Sequence, residues 1–355
     1  MWKSLKDRAE GVKEMKRMKT TEAVGQVLCH DITQIIPGVT KDAVFRKGHI
    51  IREEDIPVLL SVGKDSVYIW ENDETMMHEN DAAEVLYRMT ANEHMHPSDV
   101  KEGKIEAIAD TEGLLKVDRE KLKKVNAFGE MMIATRHGNT VVKKGDKLAG
   151  TRIIPLVIKK DKMQEAEKIC DGTPILKILP FTVKKAAIIT TGNEVYHGRI
   201  KDAFTPVIEQ KIAEFGAEMM FHEIFDDNDR KITDGCLRAI EAGADIVFCT
   251  GGMSVDPDDK TPLAIKNTGA EIISYGAPVL PGAMFLISYY NGNVPILGLP
   301  GCVMYAKRTI FDLVLPRIMA DDKVTAEELA ALGEGGLCLN CDHCIYPNCG
   351  FGKGW

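Results

Sequence analysis

Nowhere in the chain do about eighteen uncharged apolar residues run together, the length a helix needs to cross a bilayer. The basic segment MWKSLKDRAEGVKEMKRMK at the start has no apolar stretch of signal-peptide length either, so the sequence predicts a cytoplasmic protein with no membrane partner. Positive charge is not in excess: 45 Lys and Arg face 53 Asp and Glu, a formal net charge of -8. Nucleic acid as a general partner is thereby disfavoured, because a phosphate backbone calls for a basic face. There is no fixed-period repeat and no low-complexity tract, so the organisation has to be read from changes in periodicity. What is there is an ordinary globular composition, 45% hydrophobic and 28% charged over 355 residues. That length gives room for two or three domains of about 100–200 residues each. Five of the nine cysteines, Cys29, Cys170, Cys236, Cys249 and Cys302, are scattered, and the last three sit in apolar contexts that suit reduced core thiols.

Five stretches follow one another. Residues 1–19 read as a short charged helix. Residues 20–180 read as a mixed α+β, β-rich region, with GQVLCHDITQIIPG, DSVYIW, GKIEAIA, GLLKV and MMIATRH as strands, and TVVKKGDKLAGTRIIPLVI and PILKILPF as mainly β structure. Its helices are EEDIPVLLSVG, NDAAEVLYRMTAN and REKLKKVNAFG. Met131 and Met132 read as core filling, and His94 and His96, two apart before Pro97, as a polar surface turn. Over 181–320 the apolar strands KAAIIT, GAEMMFHEIF, GADIVFCT and GAEIISYGA alternate with helical stretches at 203–215, 229–242 and 259–267. This alternation predicts a mainly parallel three-layer α/β/α domain. AMFLISYY and VPILGL flank Asn291-Gly292-Asn293 as a hairpin, and a final helix covers roughly 302–319. Residues 321–336 read as a connecting helix and flexible glycine-rich linker, and 337–355 as a cysteine-cluster tail.

In an open parallel sheet the ligand crevice lies beyond the carboxyl ends of the strands, which singles out the residues after each strand. Thr190-Thr191-Gly192-Asn193-Glu194 is one such turn, or a plain strand-to-helix connection. The run from Thr250 to Thr261 carries more chemistry. Gly251 and Gly252 allow close backbone approach to a phosphate oxygen, with Ser254 beside them. Asp256, Asp258 and Asp259 supply hard oxygen ligands of the kind Mg2+ uses beside phosphates, although Asp258 or Asp259 could instead cap the next helix. Pro300-Gly301 ends the strand VPILGL, and Pro281-Gly282 precedes the hairpin.

Cys338, Cys341, Cys344 and Cys349 fall within twelve positions as C-x2-C-x2-C-x4-C. Closely spaced thiolates converge on a soft metal, either an iron–sulfur cluster of the 4Fe–4S type or Zn2+, with disulfides or free thiols as the remaining option. His343, inside the run, could replace one thiolate.

TTGNE, GGMSVDPDD, VLPG and LGLPG, in this order, resemble the molybdopterin-binding domain of molybdenum cofactor biosynthesis proteins over about residues 183–320. KDAVFRKGHIIREEDIPVLLSVGKDSVYIW resembles the stretch that precedes this domain in molybdopterin molybdenumtransferases, though here about 110 residues intervene. The resemblance implies a divergent transferase-like enzyme, a homodimer, that inserts molybdate into adenylylated molybdopterin with Mg2+ as cofactor and releases AMP. It implies that Thr191, Gly192, Asn193, Gly251, Gly252, Ser254, Pro281, Gly282, Pro300 and Gly301 hold the pterin and its phosphate. Asp256, Asp258 and Asp259 would hold Mg2+, and Glu194 would place metal or molybdate. The chain departs from the family pattern with Asn193 in place of an Asp, DPDD for a GDYD-like tetrad, LPGAM for a lysine-bearing KPGKP-like loop and LPGCV for LPGNP. The lost acid and lysine leave open a non-catalytic carrier that delivers the cofactor to a molybdoenzyme. Asp258-Asp259-Lys260-Thr261 also resembles the related domain of competence and damage-inducible proteins, which leaves open a nucleotide-processing hydrolase.

Overall fold

The computed structural model describes residues 16–36, 40–69, 74–182 and 184–354. Most of the charged helix expected over 1–19 therefore lies outside the described residues. Its end is extended instead: Arg17–Lys19 pairs antiparallel with Ser66–Tyr68, which turns Met18 onto a small core of Leu28, Ile32, Ile51, Leu59 and Val67.

A second, β-rich unit follows. Met95–Pro97, Lys104–Ala109, Lys147–Ile153 and Met131–Thr135 form one antiparallel sheet, and Thr140–Val142, Gly113–Val117 and Leu176–Pro180 another. Their common core holds Leu86, Leu115, Ile133, Leu148, Met163 and Leu176. Met131 is in that core, but Met132 is 42% exposed, because successive side chains on a strand point to opposite faces. The helix Lys160–Cys170 was not expected; it buries Met163, Ala166 and Cys170 at helical spacing.

From Lys185 the strands are β1 (Lys185–Thr191), β2 (Glu218–Phe225), β3 (Ile246–Thr250), β4 (Glu271–Tyr275), β5 (Leu286–Tyr290) and β6 (Val294–Leu299). They form one six-stranded sheet in the order β2-β1-β3-β6-β5-β4. The pairs β2/β1, β1/β3 and β3/β6 are parallel, while β5 runs antiparallel to both β6 and β4. Both faces are apolar because both are covered. The helices are α1 (Asn193–Tyr196), α2 (Phe204–Ala213), α3 (Asp229–Glu241), α4 (Thr261–Asn267), α5 (Ile310–Met319) and α6 (Ala326–Ala331). Ala186, Ile188, Phe248 and Leu297 pack on Ile208 of α2 and Phe311 of α5. Ala187, Ile189, Val247 and Cys249 pack on Ile232 and Cys236 of α3 and Ile265 of α4. Each large side chain buried this way contributes about 1.5–3 kcal/mol.

α5 starts eight residues later than the expected 302–319. The Thr309 hydroxyl accepts from Phe311 N at 3.2 Å while the Asp312 carboxylate accepts from Thr309 N at 2.8 Å, a reciprocal cap that fixes the start. Gly301–Met304 is a separate 3-10 turn.

The chain after α5 is not a free linker. α6 is followed by a packed turn in which Leu280 N donates to Gly336 O and Cys338 N to Leu280 O, both at 2.8 Å. A side chain at Gly336 would overlap the carbonyl oxygens of Pro278 and Leu332, so glycine there serves close packing rather than looseness. Phe351 is buried in the same core as α5, and Tyr346 OH donates to Asp312 O at 3.1 Å. Lys116 reaches across from the β-rich unit to Asp322 at 2.8 Å.

Candidate functional site

The strand directions place all the candidate loops at one end of the sheet. β1, β2, β3 and β6 run parallel, so Gly192, Asp226, Gly251 and Pro300 leave from the same edge. Leu286 pairs with Gly298 and with Tyr275, which brings Pro281-Gly282 and the end of β4 to that edge as well.

The paired glycines have a reason internal to the fold. Gly251, at φ +82°, crosses so close to β1 that a Cβ would overlap the Thr191 carbonyl oxygen. A Cβ at Gly252, at φ +53°, would stand 2.9 Å from Thr261 Oγ1. The crossing is tied by three hydroxyl contacts: Thr191 Oγ1 donates to Thr250 O at 3.1 Å, Thr261 Oγ1 donates to Gly251 O at 2.8 Å, and the two hydroxyls lie 3.0 Å apart. Thr191 is therefore turned inward, a strut of the loop. Tyr275 at the end of β4 supports the next turn, its hydroxyl donating to Met253 O at 3.0 Å. Burial and then the nearby Asp259 carboxylate push the Tyr275 phenol up.

Beyond that strut Asn193, Glu194, Ser254, Asp256 and Asp258 are exposed at the mouth, and Asp259 is half-buried. Neither Asp258 nor Asp259 caps α4, whose N-cap is Lys260 without a side-chain bond. Asp259 instead closes its own turn, accepting from Asp256 N at 3.0 Å. Gly282, at φ +126°, lies against α5, where a Cβ would stand 2.5 Å from Ile310 Cγ2. Gly301 is open: nothing lies within 4 Å of the place a Cβ would take.

Asp227, directly after β2, was not singled out from the sequence, although the same strand-end rule points to it. Its carboxylate accepts from Asn193 N at 3.1 Å. Burial raises its pKa, and Glu194, Asp258 and Asp259 raise it further against that one lowering bond. Carboxylates from three different loops thus crowd one mouth. Beneath the mouth two oxygens are buried with no hydrogen-bond partner among the described residues, Thr250 Oγ1 at the end of β3 and Asp226 Oδ1 after β2. A second polar group sits under β1. The Asp202 carboxylate accepts from Thr190 Oγ1 at 3.0 Å and Thr205 Oγ1 at 2.6 Å, with His222 Nε2 at 3.4 Å. Burial works against the Asp202 charge, but these bonds and the N–H groups of Phe204 and Thr205 outweigh it and hold the carboxyl low.

The four tail cysteines are free thiols, Cys338 and Cys349 half-buried and Cys341 and Cys344 exposed. Among the described residues, no three His, Cys, Asp or Glu side chains meet in a single-ion arrangement, at the tail or at the strand ends. A cavity of about 330 Å³ lies away from the strand ends, beside Lys211, Arg308 and Asp312.

Residues 187–320 match the family model described as "Probable molybdopterin binding domain", and residues 17–71 match that of a domain of unknown function. Among curated proteins, the competence-damage inducible protein of Bacillus velezensis is 32% identical over 85 residues, covering 24% of this chain and 20% of that protein. The chain thus spans about a fifth of the length of such relatives. Among solved structures, the tungsten cofactor synthesizing protein MoaB of Pyrococcus furiosus is 20% identical, covering 39% of this chain and 89% of that one, with a TM-score of 0.30. The protein CinA of Thermoplasma acidophilum is 21% identical, covering 38% and 99%, with a TM-score of 0.32.

Proposed function

We propose, from the match of residues 187–320 to the molybdopterin-binding domain model, that the protein acts in molybdenum cofactor biosynthesis, inserting molybdate into adenylylated molybdopterin with Mg2+ and releasing AMP. The observation that carries this reading is the mouth at the carboxyl ends of β1, β2 and β3. There burial, and then the Glu194, Asp258 and Asp259 carboxylates, raise the cost of ionising Asp227. Crowded carboxylates suit a ligand that brings a cation and phosphate oxygens together.

Mg2+ bound among these oxygens supplies Lewis-acid polarisation of a phosphate linkage and a template for it. The chain's own part is to place the oxygens. Asn193 N–H holds the Asp227 carboxylate toward Glu194, the Asp256–Asp259 turn presents Asp258 outward, and Tyr275 fixes the backbone of Met253. The space left open at Gly301 would let a ligand approach the backbone there.

The test is AMP release from adenylylated molybdopterin by purified protein given molybdate and Mg2+, with Asp258→Ala plus Asp259→Ala as the inactive comparison. Tight pterin binding without AMP release, unaffected by that double variant, would make the protein a carrier for a molybdoenzyme. Ala283 and Met284 after Gly282, where no cation stands, favour that second reading. Hydrolysis of an ADP-ribose-like substrate would place the domain in nucleotide processing instead.

A further inference from the structure

The four tail cysteines, spread over twelve positions, line one cavity of about 240 Å³. A mononuclear zinc site has no such space: Zn–S bonds of about 2.3 Å in a tetrahedron bring the sulfurs to about 3.8 Å from one another, with the ion filling the centre. Here all four cysteines border a single space. The walls between them are apolar, with Leu337, Leu339, Ile345 and Phe351. The rim carries cations. Lys307 Nζ donates to Cys341 O and Asp342 O, both at 2.9 Å, and Arg308 lies over the Tyr346 ring at 4.8 Å with its guanidinium within reach of the Cys344 sulfur. No helix or strand runs from Cys338 to Cys349, so successive thiols are free to face one centre from different sides.

We propose that this cavity is the seat of a 4Fe–4S cluster ligated by Cys338, Cys341, Cys344 and Cys349. A cubane core occupies a volume of its own and holds its four thiolates apart, which suits four cysteines that border one space. Four thiolates on such a core leave a net negative charge, which Lys307 and Arg308 face. The fold prepares the site. Cys338 and Cys349 pack against the domain core, Cys338 N is paired to Leu280 O, and Phe351 is buried beneath, so two ligands are placed by the protein while the exposed Cys341 and Cys344 close over the cluster.

The experiment measures metal and acid-labile sulfide in the full chain, purified without oxygen and then supplied with ferrous iron and sulfide under reductant. The expected result is roughly four iron and four sulfide per chain with a brown visible absorption. Cys341→Ser plus Cys344→Ser should lose both while keeping the wild-type circular dichroism. Cys302→Ser, whose thiol lies outside the cavity, should keep them. One zinc per chain without sulfide, iron without sulfide, two iron per chain, or no retained metal overturns the proposal. Because the readout is metal content, it stands or falls independently of pterin binding and of AMP release.

Discussion

Gly251 and Gly301 both end strands of the candidate site, yet the structure gives them different reasons to be glycine, and alanine at each separates fold from ligand. At Gly251 the backbone is left-handed, φ +82°, and a Cβ would overlap the Thr191 carbonyl oxygen. A left-handed non-glycine residue costs about 1–2 kcal/mol. Pushing β1 and the loop apart against the Thr191–Thr261 hydroxyl contacts adds a strain of about 1–3 kcal/mol, as overpacking does. Gly251→Ala should therefore cost about 3 kcal/mol, a fall in Tm of roughly 6–12 °C for a domain of this size. At Gly301 nothing stands within 4 Å, so Gly301→Ala should fold within about 0.5 kcal/mol of wild type. If a ligand approaches the backbone there, the added methyl should weaken pterin binding by roughly tenfold, about 1.4 kcal/mol. Thermal unfolding followed by circular dichroism gives the first quantity and calorimetric titration with molybdopterin the second. Gly251→Ala melting with wild type, or Gly301→Ala melting as low as Gly251→Ala, would refute the assignment of the first glycine to packing and the second to an open approach.

Asp227 binds its proton more tightly than an ordinary carboxyl, so its contribution to stability is present below the ordinary value and is lost as pH rises through the raised one. Asp227→Asn should accordingly raise Tm at neutral pH while weakening Mg2+ binding, and in wild type Mg2+ affinity should climb with pH through that raised pKa; titrations at several pH values check both. Asp312 is 7% exposed, with Lys211 Nζ at 2.5 Å and Arg308 at 2.9 Å, so Asp312→Ala strands two cations and should cost about 3–5 kcal/mol, read by denaturant unfolding. Phe351→Ala removes the buried anchor of the tail and should cost about 3–5 kcal/mol or, where the tail lets go, expose residues 337–354 to rapid proteolysis. Intact resistance to protease with an unchanged Tm would mean the tail is held elsewhere.

The parallel sheet was legible because its strands are apolar on both faces, a signal that survives without any knowledge of neighbours. The helix Lys160–Cys170 was not read, since KDKMQEAEKIC is charged at most positions; Met163, Ala166 and Cys170 at spacings of three and four were the available cue. The late start of α5 was also written in the chain, as Thr309-x-x-Asp312. The strand-end rule located three of the loops, and applied to β2 as well it would have found Asp226 and Asp227. What no pattern could give is the inward turn of Thr191 or the Tyr275 hydroxyl under Met253, because both depend on which strands become neighbours.

The cysteine run looked like an appendage because its spacing is self-contained and glycines precede it. The packing removes that distinction. Leu280 pairs with Leu337, and the next two residues are Pro281 and Gly282 at the candidate mouth. Gly282 rests on Ile310 at the start of α5, and α5 presents Asp312 O to Tyr346 and Leu313 to Gly352. Leu280–Gly282 and α5 therefore touch both the tail that carries the cavity, through Leu337, Tyr346 and Gly352, and the candidate mouth, through Pro281-Gly282. Interiors packed to crystal-like density do not absorb a displaced wall locally. A shift of the tail must therefore be met in part by those two elements, one of which carries Pro281-Gly282 to the strand-end edge.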